Sequence, residues 1–112
     1  MNRDKIPRVL VIAGSDSSGG AGIQADIKTL TVFKVYSMTA ITAITAQNTN
    51  GVSSIESISL DTIKRQIEAC ISDIGVDAVK IGMVNKGKIF DLIFEVLNKY
   101  KTVSYTHLTM PT

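Results

Sequence analysis

The chain has 112 residues, 45% hydrophobic and 20% charged, the balance of an ordinary globular domain with a modest core. Its formal charge is only +2 and Lys and Arg form no patch, which argues against a nucleic-acid surface and leaves small ligands as the expected partners. One cysteine, Cys70, excludes an internal disulfide, and the apolar run Val9 to Ala13 is far too short for a signal peptide or a membrane span. A cytoplasmic protein with no membrane partner is expected.

Arg8 to Ala13, RVLVIA, is a β-branched run ended by Gly14, which predicts a strand buried on both faces. A loop follows from Gly14 to Gly22. Ile23, Ile27, Leu30 and Lys34 then share one helical face, predicting an amphipathic helix from about Ala21 to Phe33. Ser37 to Ala46 is rich in Thr, Ile and small residues, and its second half reads as a buried strand ending in the polar cluster Gln47 to Gly51. Val52 to Ile58 alternates weakly, as a short edge strand does.

Ser59 is placed to cap a second helix carrying Ile63, Ile67, Cys70, Ile71 and Ile74, with Gly75 as its stop. Cys70 in that pattern reads as a buried core thiol. Ala78 to Ile81 predicts a third strand ended by Gly82, and Ile89 to Tyr100 a third amphipathic helix. The alternation of strand and helix implies an α/β fold with a mainly parallel sheet and right-handed crossovers.

In such sheets, ligands bind beyond the carboxyl ends of the strands. Three loops should meet there: Gly14 to Gly22, Gln47 to Gly51, and Gly82 to Asn85. The first holds four glycines in nine residues and enters a helix N-terminus, a setting that favours anions or polar ligand atoms. It is not a P-loop, because Gly20 stands where the lysine belongs and Ala21 where the Mg²⁺-binding hydroxyl belongs. The G-x-G-x-x-G spacing is also absent. A turn needed only for packing stays open as an alternative.

Asp26, one turn into the helix, is either a ligand acceptor or a charge answering the helix dipole. The Gln47 amide offers a donor beside an acceptor, suited to a heterocycle edge with adjacent amino and ring-nitrogen groups; a strand-end cap is the alternative. Lys80, between Val79 and Ile81, is more readily a salt-bridged or snorkelling lysine than a phosphate ligand. Met83 is an apolar wall for a flat ring or a core residue. His107, the only histidine, lies in a tail without periodic pattern and carries little weight as a base.

Three segments add a resemblance that spacing does not supply: AGSDSSGGAGIQADIKT (Ala13 to Thr29), TAITAQNTNGV (Thr42 to Val52) and VDAVKIGM (Val76 to Met83). In this order they resemble hydroxymethylpyrimidine/phosphomethylpyrimidine kinase, the thiamine-pathway member of the ribokinase-like superfamily, from about Val9 to Tyr100. The resemblance implies a ribokinase-like fold and ATP-dependent, Mg²⁺-requiring phosphorylation of 4-amino-5-hydroxymethyl-2-methylpyrimidine and then of its monophosphate. It implies pyrimidine binding by Asp26 and Gln47, with backbone or apolar contacts from Gly14, Ala21, Thr45 and Met83. It also allows a homo-oligomeric parent.

The family pattern continues for more than twice this length, into an Asp-Pro-Val-Met type strand, a glycine-rich anion hole, a catalytic cysteine or aspartate and ATP-binding loops, none of which is found here. The expectation is therefore that residues 1–103 are the substrate-binding part of a kinase domain. Residues 104–112, the end of KTVSYTHLTMPT, would be a tail foreign to the family, arising from a frameshift or read-through near Val103. No catalytic residue or metal ligand is expected in this chain, and in isolation it should be inactive and prone to aggregate. A non-catalytic heterocycle-binding fragment, or a parent with pyridoxal kinase-type activity, are the alternative functions.

Overall fold

The computed structural model describes residues 5–84, 87–100 and 104–107. Five strands form one sheet: β1 (Arg8–Asp16), β2 (Tyr36–Asn48), β3 (Gly51–Ser57), β4 (Ala78–Ile81) and β5 (Ser104–His107). The helices are α1 (Gly22–Val32), α2 (Leu60–Ala69) and α3 (Gly87–Tyr100). Across the sheet the order is β3-β2-β1-β4-β5, and every neighbouring pair is parallel except the β2–β3 hairpin. This is the mainly parallel α/β sheet that the alternation implies.

The hydrophobic run of β1 is central and covered on both faces, as its lack of alternation requires. Leu10 and Ile12 join the larger core with Met38, Ala40, Val79 and Ile81 of the sheet, Ile63 and Ile67 of α2, and Ile93 and Leu97 of α3. Val11 and Ala13 face the other way, onto Ile23 of α1. One helix therefore covers one face, and two cover the other. Among the described residues, no helix is long and apolar enough to cross a membrane.

The end signals work as read. Ser59 Oγ accepts the Thr62 amide at 3.2 Å and caps α2. The last turn of that helix widens into a π-helical turn, Cys70–Ile74, before Gly75 stops it. Cys70 is only half-buried there, packed against the edge of the core rather than inside it, and the burial it has pushes its thiol pKa up.

Two further differences matter for the site. The second strand is longer than its apolar half, so Gln47 lies within β2 instead of just after it. The tail read as patternless contributes β5, paired in parallel with β4 from Ala78↔Ser104 to Ile81↔His107. Four residues are too short to show a period, so pairing with β4 creates that strand. Asn85, Val103 and the tail beyond His107 lie outside the described residues, as does the His107 side chain.

Arg8 ties the start of β1 to the start of β4. Its guanidinium donates to both carboxylate oxygens of Asp77, at 2.8 and 3.1 Å, and its backbone amide donates to Asp77 Oδ2 at 2.8 Å. The Arg8 side chain, and then its amide, lower the Asp77 pKa to about 2. A carboxylate depressed in the folded state adds stability above its unfolded pKa, near 3.8, and loses it as pH falls toward 2. Both side chains are 40–48% exposed, so solvent screening keeps the contribution small. Asp77→Asn is expected to lower the urea midpoint slightly near neutral pH, with the gap to wild type closing near pH ~2. A gap unchanged at acid pH would refute this role.

Candidate functional site

The carboxyl ends of β1, β2 and β4 open on one edge of the sheet and enclose a cavity of about 390 Å³. Its size is that of a small-molecule pocket, roughly 300–1,000 Å³. All six residues named for substrate contact line it: Gly14, Ala21, Asp26, Thr45, Gln47 and Met83. Gly82 and Lys80 complete the β4 side.

Two irregularities shape the mouth. The β1–β2 register shifts between Ala13 and Ser15, and the β2–β3 register shifts between Ala46 and Gln47. Bulges re-aim side chains at the ends of ladders, and here they flank the cavity. A third device sets up the hairpin. Ile41 has no strand on its outer side, because β3 begins pairing only at Ala43. Gln66 of α2 fills the gap: its Oε1 accepts the Ile41 amide at 2.8 Å and its Nε2 donates to the Ile41 carbonyl at 2.9 Å.

The glycine-rich loop is folded on itself. Asp16, 4% exposed, accepts from the Ser18 amide and hydroxyl through Oδ1, at 2.9 and 2.7 Å, and from the Gly20 amide through Oδ2, at 3.1 Å. The Ser18 hydroxyl first, then the Ser18, Ala21 and Gly20 amides, hold its carboxyl below the ordinary carboxylate range, against burial. Gln24 of α1 clamps the same turn, accepting the Asp16 amide at 2.8 Å and donating to Ser15 Oγ at 2.7 Å. Lys28 reaches back to the Gly19 carbonyl at 2.8 Å. Sequence reading passed over Asp16 and Gln24. The Asp-x-Ser spacing was the available signal, since an Asp side chain readily accepts the amide two residues on.

Asp26 projects from the second turn of α1 toward β4. Its Oδ2 pairs with Lys80 Nζ at 2.8 Å, and both side chains are about three-quarters buried. Lys80 is thus the salt-bridged lysine. Asp26 Oδ1 receives no hydrogen bond from the described residues, and Asp26 lines the cavity. Gln47 is held at its backbone, where Ser17 Oγ accepts its amide at 2.8 Å and donates to its carbonyl at 3.0 Å. Met83 is 61% exposed, which rules out the core reading, and it lines the cavity.

The same geometry bears on ATP. The loop amides that a phosphate would need at Ser18 and Gly20 are already bound to Asp16, whose charge repels an anion. Among the described residues there is no cluster of three or more His, Cys, Asp or Glu to hold a metal ion. The Ser18 and Gly20 amides, bound to Asp16, are not free to hold a phosphate. Asp26, Lys80, Gln47 and Met83 line the cavity beside this loop.

The family model described as phosphomethylpyrimidine kinase matches residues 16–106. A hydroxymethylpyrimidine/phosphomethylpyrimidine kinase of Mycobacterium bovis is 53% identical over 83 residues, 74% of this chain and 30% of that protein. The crystal structure of phosphomethylpyrimidine kinase from Clostridium difficile superposes with a TM-score of 0.81 at 51% identity, over 90% of this chain and 44% of that one. The pyridoxal kinase of Staphylococcus aureus, solved with AMP-PCP and pyridoxal, gives 0.80 at 36% identity, over 92% and 39%. The chain spans about three-tenths of the length of most of the curated relatives it matches, and less of two longer ones. The sheet is the ribokinase-like fold of these structures, and with the match covering most of its residues the chain belongs to the phosphomethylpyrimidine kinase family.

Proposed function

We propose that this chain supplies the pyrimidine-binding side of an ATP-dependent, Mg²⁺-requiring, cytoplasmic kinase that phosphorylates 4-amino-5-hydroxymethyl-2-methylpyrimidine and its monophosphate for thiamine synthesis. The observation that carries this reading is the convergence of Asp26, Gln47 and Met83 on one cavity. An aminopyrimidine offers what those groups want: an exocyclic amine to donate, a ring nitrogen to accept, and a flat apolar face. Asp26 and Gln47 fix the ring, and Gly14 and Ala21 let the loop backbone approach it. The phosphoryl donor and the base that takes the hydroxyl proton are not provided by the described residues.

Calorimetry of the chain with the pyrimidine alcohol, with pyridoxal as competitor, tests the reading. One-to-one binding of the pyrimidine is expected, with no product when ATP and Mg²⁺ are added. Pyridoxal binding more tightly would favour a second reading, for which the likeness to pyridoxal kinase of Staphylococcus aureus speaks. No heat with either ring would refute both.

A further inference from the structure

The Thr45 hydroxyl lies 2.8 Å from the Ser15 carbonyl oxygen and 3.1 Å from Gln47 Oε1. A hydroxyl carries one proton and cannot donate to two oxygens at once. The Ser15 carbonyl can only accept, and it is the nearer of the two. If the proton turned to Gln47, the carbonyl and the hydroxyl would face each other at 2.8 Å as two unshared lone pairs.

The alternative involves no such clash. An amide's oxygen and nitrogen exchange places by a half-turn that leaves its outline unchanged, so the hydrogen-bond network decides which is where. We propose that Thr45 donates to Ser15 and accepts from Gln47, holding the Gln47 amide with Nε2 toward Thr45 and so acting as a positioning residue for ligand selection. The Ser17 clamp on the Gln47 backbone limits escape by moving the main chain.

The consequence concerns specificity, and this part rests on the proposed substrate reading. In this orientation Gln47 offers the cavity an unshared Oε1 and a single Nε2–H, in a fixed order. A ring edge with an amine beside an unprotonated nitrogen matches that order. The 4-oxo counterpart, with a carbonyl beside a ring N–H, reverses it. To accept that ring, Gln47 must make the half-turn and set Oε1 against a hydroxyl whose proton is already given to Ser15. Thr45 thereby turns an amide that suits either edge into one that prefers the amine.

NMR of the ligand-free chain tests the orientation directly. The Gln47 side-chain amide protons are expected to show cross-relaxation to the Thr45 β-proton and methyl group. Thr45→Val should move one of the two amide protons upfield and leave the other in place, and Thr45→Ser should restore it. Amide protons without contact to the Thr45 side chain would overturn the proposal, even if the Val variant failed to fold, because the wild-type spectrum decides. Calorimetry with the 4-amino ring and its 4-oxo counterpart then tests selectivity. The amino-to-oxo affinity ratio should fall roughly tenfold in Thr45→Val and recover in Thr45→Ser, the scale of one misplaced hydrogen bond. An unchanged ratio in a folded Val variant would overturn the specificity role. Wild type binding neither ring would overturn the substrate reading alone, with the amide orientation still decided by the spectrum.

Discussion

Gly22→Ala is expected to destabilise the chain by about 3 kcal/mol, and so to lower its melting temperature by on the order of 10–20 °C. Gly22 opens α1 with φ of +59°, a conformation that costs an L-residue roughly 1–2 kcal/mol. A Cβ there would also collide with the Gly14 carbonyl oxygen. That obstacle is backbone, not a side-chain end that can swing away, so the loop itself must move, at about 1–3 kcal/mol more. Ser15 bridges to Gly22 at this point, and Gln24 holds Ser15 and Asp16 just beyond it. The damage should therefore reach the cavity as well as the melt. Gly87→Ala is the control: it starts α3, its added Cβ meets nothing within 4 Å, and its stability should be unchanged or slightly higher. A Gly22→Ala melt within a degree or so of wild type would refute the close approach.

Gln47→Ala is expected to weaken pyrimidine binding by about 1–3 kcal/mol, roughly 5- to 150-fold, with little change in stability. The side chain is half-buried at the cavity, while the backbone is held independently by β3 and by Ser17, so the strand should survive the truncation. The lost affinity comes from a ring edge left with two unpaired polar groups. Calorimetry beside a thermal melt separates the two effects. Unchanged affinity would mean that the polar edge of the ring faces elsewhere, with Asp26 the next candidate. A large drop in melting temperature would instead make Gln47 a structural residue of the hairpin.

The sheet and its helices were legible because their signals are local. Arg8 to Ala13 has no alternation and can only be a strand covered on both sides. Ser59 and Gly75 bracket a helix whose isoleucines recur at helical spacing. The strand-end rule then brought Gly14, Gln47 and Met83 to one edge without any coordinate. The resemblance added Asp26, Ala21 and Thr45, which spacing alone left open or unmarked.

What escaped was non-local. Ser104–His107 has no pattern of its own and becomes β5 only by pairing with β4. Gln66 reads as one more polar residue on a helix, yet it completes the ladder at Ile41, 25 residues away. The glycine-rich loop is the local exception. Its glycines announced close backbone approach and an affinity for anions. The fold supplied the anion from within, by turning Asp16 onto the Ser18 and Gly20 amides.

The sequence by itself determined the α/β order, the edge where the site lies and the residue types gathered there, because periodicity and strand direction need only neighbours along the chain. Which oxygen of Asp26 is spent on Lys80, and that Gln66 completes the edge of β2 at Ile41, were decided only by tertiary structure. Each of these depends on a partner from a distant element arriving within about 3 Å, a distance that no one-dimensional pattern encodes.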